Sequence, residues 1–148
     1  MRRKSRPRSP SIQGEVALIT CTFSLLGKLA AEERDVSDEV LEHLKRFIRE
    51  EFDFDELQQA LALKTFQLAS ESLLEFRDYA LEFRRTYPDR VDLSEQVVRR
   101  LLQYASYDGF LSDRENGLVR SAALLLGLTE PAYELLVREV VPPGKILH

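Results

Sequence analysis

A chain of 148 residues with 21 Lys and Arg against 25 Asp and Glu is long enough for a single domain with a real core. Its apolar and charged fractions are those of a soluble globule, and one cysteine, Cys21, excludes an internal disulfide framework and a Cys-based zinc site. Abundant Leu and Ala, few Gly and Pro and no Trp favour helices over sheets.

The charge is unevenly spread. Arg2, Arg3, Lys4, Arg6 and Arg8 all precede the first acid, Glu15; without these five, 16 basic residues face 25 acidic ones, a net of −9 for the remainder. Residues 1–13 read as a flexible basic arm, suited to an anionic surface such as lipid or nucleic acid. No aromatic is interleaved with the charges and the body is acidic, which disfavours a broad nucleic-acid face. The arm and the run "VALITCTFSLLG" together imitate a secretory leader. Glu15 interrupts the basic region, however, and Thr20, Thr22 and Ser24 weaken the apolar one. The run is also too short for a membrane span.

Helical patterns follow in chain order. The first covers about Gly14–Ala31 and is apolar on nearly all sides, the mark of a central buried helix. Its single thiol, Cys21, reads as buried and inert. The second opens after the N-cap Ser37, with Asp38 and Glu39 in the first turn and Val40, Leu41, Leu44, Phe47 and Ile48 at helical spacing. His43 reads as a partly exposed residue on this helix. "EEFDFDE" at 50–56 reads as a solvated linker in which Asp53 or Asp55 caps the next helix, about Asp55–Ala69. A fourth spans about Ser72–Tyr87 with Leu73, Phe76, Ala80, Phe83 and Tyr87 as its stripe, and Pro88 ends it. A fifth covers about Leu93–Tyr107, with Val97, Val98, Leu101, Leu102 and Ala105 facing inward. The sixth runs over about Asp113–Leu126 and is stopped by Gly127 at a positive φ. The seventh starts after Thr129 with Pro131 in its first turn and ends near Val141, where "PPGK" breaks it. Residues 14–141 therefore form an all-α domain, and 142–148 a tail or linker stub.

Two turns overlay without gaps, "AEERDVSDEV" (31–40) on "SYDGFLSDRE" (106–115). Ser37 falls on Ser112, Glu33 on Asp108 and Arg34 on Gly109, which suggests two pseudo-equivalent helical hairpins. The second turn invites a calcium-loop reading. Counted from Tyr104, Gly109 takes position 6, Leu111 position 8 and Glu115 position 12, and Asp108 stands at position 5. Positions 1 and 3 are Tyr104 and Ser106, where carboxylates are needed, so the ligand set falls short. A helix start accounts for more of these residues. Gly109 lets the chain reverse, Leu111 staples from N′, and Ser112 and Glu115 form a capping box.

The matching pieces "FSLLGKLAAEERDVSDEVL" (23–41), "YASYDGFLSDRENGLV" (104–119) and "LLGLTEPAYELL" (125–136) resemble TerB-like tellurite-resistance domains. The resemblance runs from about Val16 to Val140 and is closest to the N-terminal cytoplasmic domain of DjlA-type DnaJ-like co-chaperones. It implies a compact bundle of about seven helices and a non-catalytic module that binds other proteins or serves a stress response. Some members carry surface carboxylates suspected of holding metal; Asp108 and Glu115 match those positions, and Glu33 matches in charge. DjlA-type proteins add a membrane anchor before this domain and a J domain after it. No His-Pro-Asp tripeptide occurs here, so the chain reads as an excised domain or a stand-alone relative.

No Gly-rich phosphate loop, nucleophile elbow or paired-His motif is present, and His43 and His148 form no constellation. The sequence thus predicts a non-enzymatic interaction domain without a cofactor, in the cytoplasm or at the cytoplasmic face of a membrane through a partner or missing anchor. Its partner is a protein of unknown identity, and self-association stays open. The alternative is a metal- or oxyanion-responsive stress protein that uses a divalent ion at its acidic turns.

Overall fold

The computed structural model describes residues 16–33, 36–107 and 109–145, for Glu33 the backbone alone. The basic arm with Arg2, Arg3, Lys4, Arg6 and Arg8, the turn residues Arg34 and Asp108, and the last three residues lie outside this set. Seven α-helices follow one another: α1 (Val16–Glu33), α2 (Asp38–Glu51), α3 (Glu56–Glu71), α4 (Phe76–Thr86), α5 (Val91–Ala105), α6 (Asp113–Leu125) and α7 (Glu130–Val140). A 3-10 turn, Pro143–Lys145, closes the described chain, and no strand occurs among the described residues.

Helix α1 is the axis. Leu18, Ile19, Phe23, Leu25, Leu26 and Leu29 are all essentially without exposure. The helix packs most extensively on α3 and also meets α4 and α5. Burying each such side chain contributes about 1.5–3 kcal/mol relative to exposing it, so this single element accounts for much of the core. Contact with α3 is close because residue 27 is glycine. A Cβ there would stand 2.4 Å from the carbonyl oxygen of Phe66, in the middle of α3. Two backbones can approach so nearly only where a side chain is missing.

The amphipathic stripes of α2 and α5 are buried where the spacing put them, at Val40, Leu44, Phe47 and Ile48 and at Val97, Val98, Leu101 and Leu102. Several helix boundaries differ from the sequence reading, two of them for reasons that the local hydrogen bonds show. The fourth helix begins at Phe76, not near Ser72. Ser72 ends α3 by turning its amide and its hydroxyl onto the Ala69 carbonyl (both 3.1 Å), and the Glu75 amide donates to Asp78 Oδ2 (2.7 Å) to start α4. Leu73 consequently stands outside the helix and is fully exposed, not part of a buried stripe. The fifth helix stops at Ala105: the Tyr107 amide bonds only three residues back, to the Tyr104 carbonyl (3.2 Å), and Lys145 takes the Ser106 and Tyr107 carbonyls.

The acidic run at 50–56 is more than a solvated linker. Phe52 and Phe54 leave it and enter the core, with ring centroids 4.8 Å apart and 5.4 and 6.1 Å from Phe23. The Arg100 guanidinium covers Phe52 at 4.0 Å from the ring centre, a cation–π contact. Asp55 is the N-cap of α3, its Oδ1 accepting from the Gln58 amide at 2.8 Å while Gln58 Oε1 accepts from the Asp55 amide at 3.0 Å.

Gly127 has φ 102°. The Leu128 amide reaches the Ala123 carbonyl (2.9 Å) and the Gly127 amide that of Leu124 (3.1 Å), the two bonds of a Schellman termination. The next two carbonyls are taken by other helices: Arg84 of α4 donates to Leu125 O (3.2 Å) and Ser94 of α5 to Leu126 O (2.8 Å).

The crossing at Gly27 gives a direct test. Gly27→Ala improves helix propensity but drives a methyl into fixed backbone, and should cost at least about 2 kcal/mol in urea unfolding. Gly117→Ala, in exposed α6 with nothing within 4 Å of the added carbon, should instead gain roughly 0.5–1 kcal/mol. Equal gains at both positions would show that the helices do not meet so closely.

Candidate functional site

Three places are candidates for a site: the α5–α6 turn, a cleft between α1 and α4, and a groove at the α3–α4 connection.

In the α5–α6 turn the structure brings Ser112 and Glu115 together. The Glu115 amide donates to Ser112 Oγ at 3.1 Å, and Glu115 Oε1 accepts from the Ser112 amide and hydroxyl, both at 3.2 Å. Leu111 at N′ is buried. The corresponding Ser37 caps α2 by accepting from the Val40 amide at 3.4 Å, but Val40 has no carboxylate to return the bond. Gly109 has open space around it. The chain after α7 returns to this turn. The Leu111 amide donates to the Lys145 carbonyl (2.7 Å), and Lys145 Nζ donates to the carbonyls of Ser106 (3.1 Å) and Tyr107 (3.3 Å). A cation thus sits at the C-terminus of α5, where the helix dipole favours one. Arg114 of α6 reaches back to Glu32 of α1 at 3.0 Å.

This geometry bears on the ion-loop reading. The Tyr104 ring, at position 1 of such a loop, packs against His43 (5.4 Å between centroids) and Phe47 (5.3 Å). The Ser106 hydroxyl, at position 3, is buried and bonded to Leu102 O. One oxygen of Glu115 is occupied by the cap. No group of three His, Cys, Asp or Glu residues suited to a metal occurs among the described residues; Asp108 and the Glu33 side chain lie outside them. His43 is half-buried between Tyr104 and Tyr107 (5.2 Å to the latter). The Tyr107 hydroxyl donates to Glu50, and desolvation first, with that carboxylate second, pushes its pKa up to about 12.

The α1–α4 cleft, about 300 Å3, is mostly apolar and includes Cys21, Phe83 and Tyr87. Burial pushes the Cys21 thiol far above its ordinary range, so it is held as the unreactive thiol.

The groove, about 460 Å3, lies between the end of α1, the α3–α4 connection and the outer side of α6. Its lip carries Leu73, 101% exposed, and Leu74, 52% exposed. The backbone beneath them is clamped: Lys28 Nζ donates to Ser72 O (2.8 Å), and the Ser72 and Tyr79 hydroxyls share a hydrogen bond (2.9 Å). The sequence reading missed this site by assigning Leu73 to a helix stripe. Leu73 and Leu74 fit a helical pattern locally, so nothing in the neighbouring sequence marked them as exposed.

An all-helical body around a buried first helix, with a boxed turn before α6, is the architecture of a TerB-like bundle. The family described as "Tellurite resistance protein TerB" matches residues 20–137, and the chain belongs to that family. It is also similar to the co-chaperone protein DjlA of Haemophilus ducreyi (strain 35000HP / ATCC 700724), with 28% identity over 120 residues. That alignment covers 81% of this chain but 42% of the relative, so the chain spans less than half the length of the curated protein it matches. No solved structure matches significantly. No described helix is long and apolar enough to cross a membrane.

Cap and ion site make different demands on the turn. In chelator-treated protein, Ser112→Ala and Glu115→Ala should each lower stability by about 0.5–2 kcal/mol and couple in the double variant, while Asp108→Asn is nearly silent. A rise in wild-type melting temperature on adding calcium or zinc that Asp108→Asn abolishes would contradict the cap reading.

Proposed function

We propose that this domain is a non-catalytic protein-interaction module of the TerB/DjlA type, working in a stress response or as the non-J portion of a co-chaperone. It acts in the cytoplasm or at the cytoplasmic face of a membrane, with an anchor or J domain supplied by a parent protein. It needs no cofactor for this. The supporting observation is the pair Leu73 and Leu74, held in solvent by a backbone that Lys28 and Tyr79 fix in place. Exposed leucines on a mobile loop are ordinary; leucines presented on a clamped connection beside a groove are how interaction surfaces are built. Similarity to a co-chaperone over most of the helical body agrees with this use. The metal- or oxyanion-responsive alternative depends on Asp108, and the chelator experiment decides it.

The test is site-specific photo-crosslinking in the native host, with the photoreactive residue placed singly at Leu73, Phe110 or Leu135, which are exposed on three different elements. A discrete protein adduct at one of these sites, identified by mass spectrometry, is the expected result. Diffuse labelling at all three would remove the interaction-module reading.

A further inference from the structure

We propose that α3 pairs with α3 of a second copy of this chain, antiparallel and centred on Ala60. This goes beyond the interaction-module reading, which concerns other proteins and another surface. Helix α3 is apolar on two opposite sides. Ala62, Phe66 and Ala69 are buried, with Phe66 against Gly27 of α1. At about 100° per residue, Leu57, Ala60, Leu61 and Lys64 lie on the opposite side. There Leu57 is 82% exposed, Ala60 and Lys64 are exposed and Leu61 is half-buried. A helix with only one core to cover carries polar residues at such places.

The occupant follows from the order of groups along this side: Glu56, Leu57, Ala60, Leu61, Lys64. Glu56 stands four residues before Ala60 and Lys64 four after it. Both are exposed, and neither side chain has a hydrogen bond or ion pair among the described residues. No residue of opposite charge lies within four positions of either one along the chain. Turned end for end, the series is its own complement. Glu56 of one copy meets Lys64 of the other, Leu57 meets Leu61, Ala60 meets Ala60, and the two-fold axis repeats each unlike pair. Ala60 at the centre lets the two axes approach, since the distance between packed helices follows the side chains at the contact. A parallel pairing would set Lys64 beside Lys64 and Glu56 beside Glu56, which is unfavourable. An unrelated partner has no reason to carry this series in reverse; a second copy carries it by symmetry. The paired stretch is under three turns of helix. It therefore falls below the roughly 1,200 Å2 of standard interfaces and gives a reversible dimer.

Sedimentation velocity of the full chain over a wide concentration range reads the pairing, with thermal melts to check the fold of each variant. The wild type should pass from monomer to dimer with a dissociation constant on the order of micromolar to tens of micromolar. Lys64→Glu should weaken the dimer at least about tenfold by facing Glu56 of the other copy, and Glu56→Lys should do the same. The double reversal should restore the wild-type constant to within about threefold, because the pairs re-form with their signs exchanged. Leu57→Ser should weaken the dimer about tenfold through lost apolar burial, and added salt should weaken it in the wild type. Lys64→Glu leaves the first turn of α3 untouched, so it decides the matter even where Glu56→Lys disturbs the helix start. A chain that stays monomeric up to roughly 300 µM overturns the proposal. So does a dimer indifferent to Lys64→Glu, or one that a folded double reversal fails to restore. A dimer that Leu73→Ser or Leu135→Ser removes while Leu57→Ser is silent also overturns it, since the copies would then meet elsewhere.

Discussion

The rest of the structure depends on the close crossing of α1 over α3 at Gly27. With a side chain there, the Phe66 carbonyl would block the approach, and α1 would have to stand further off. The consequences spread along the helix. Phe23, one turn before Gly27, touches Phe52 and Phe54; Lys28, next to Gly27, reaches the end of α3 at Ser72; Glu32 at the far end meets Arg114. The core, the clamped connection and the α5–α6 turn are all referred to one buried helix. Interiors packed near crystal density transmit such constraints because they leave little room for adjustment.

A second regularity concerns helix ends. Each helix leaves its last carbonyls unsatisfied, and here several are closed by cations from distant parts of the chain. Arg100 of α5 donates to Glu51 O at the end of α2, Lys28 to Ser72 O after α3, Lys145 to Ser106 O and Tyr107 O after α5, and Arg84 of α4 to Leu125 O at the end of α6. Each bond satisfies an orphan acceptor and places positive charge at the negative pole of a dipole. These cations are therefore consumed internally.

Fold was legible in the sequence where its signal is local. Helical spacing located Val40, Leu44, Phe47 and Ile48 and the stripe of α5, the unbroken apolar run marked α1 as central, and Gly127 marked the end of α6. Ser112 and Glu115 sit three apart with the residue types of a capping box, so their geometry follows from four consecutive residues. What stayed illegible needed distant partners. Phe52 and Phe54 lie in a run of acids, and nothing nearby shows that Phe23 draws them inward. The start of α4 was misread because Leu73 fits a helical period as well as Phe76 does, and only the Ser72 bonds to Ala69 decide against it. The groove combines residues of α1, α4 and α6 that are far apart along the chain.

Native-state hydrogen exchange tests the central role of α1 most directly. If the crossing at Gly27 organises the fold, the amides of α1 from Phe23 to Leu29 and those of α3 around Phe66 should exchange only through global unfolding. They should share one opening free energy equal to that from denaturant. The Leu111 amide, held by the single Lys145 carbonyl, should open earlier by local release. Exchange of the α1 centre through local opening, ahead of α5 and α6, would contradict the account.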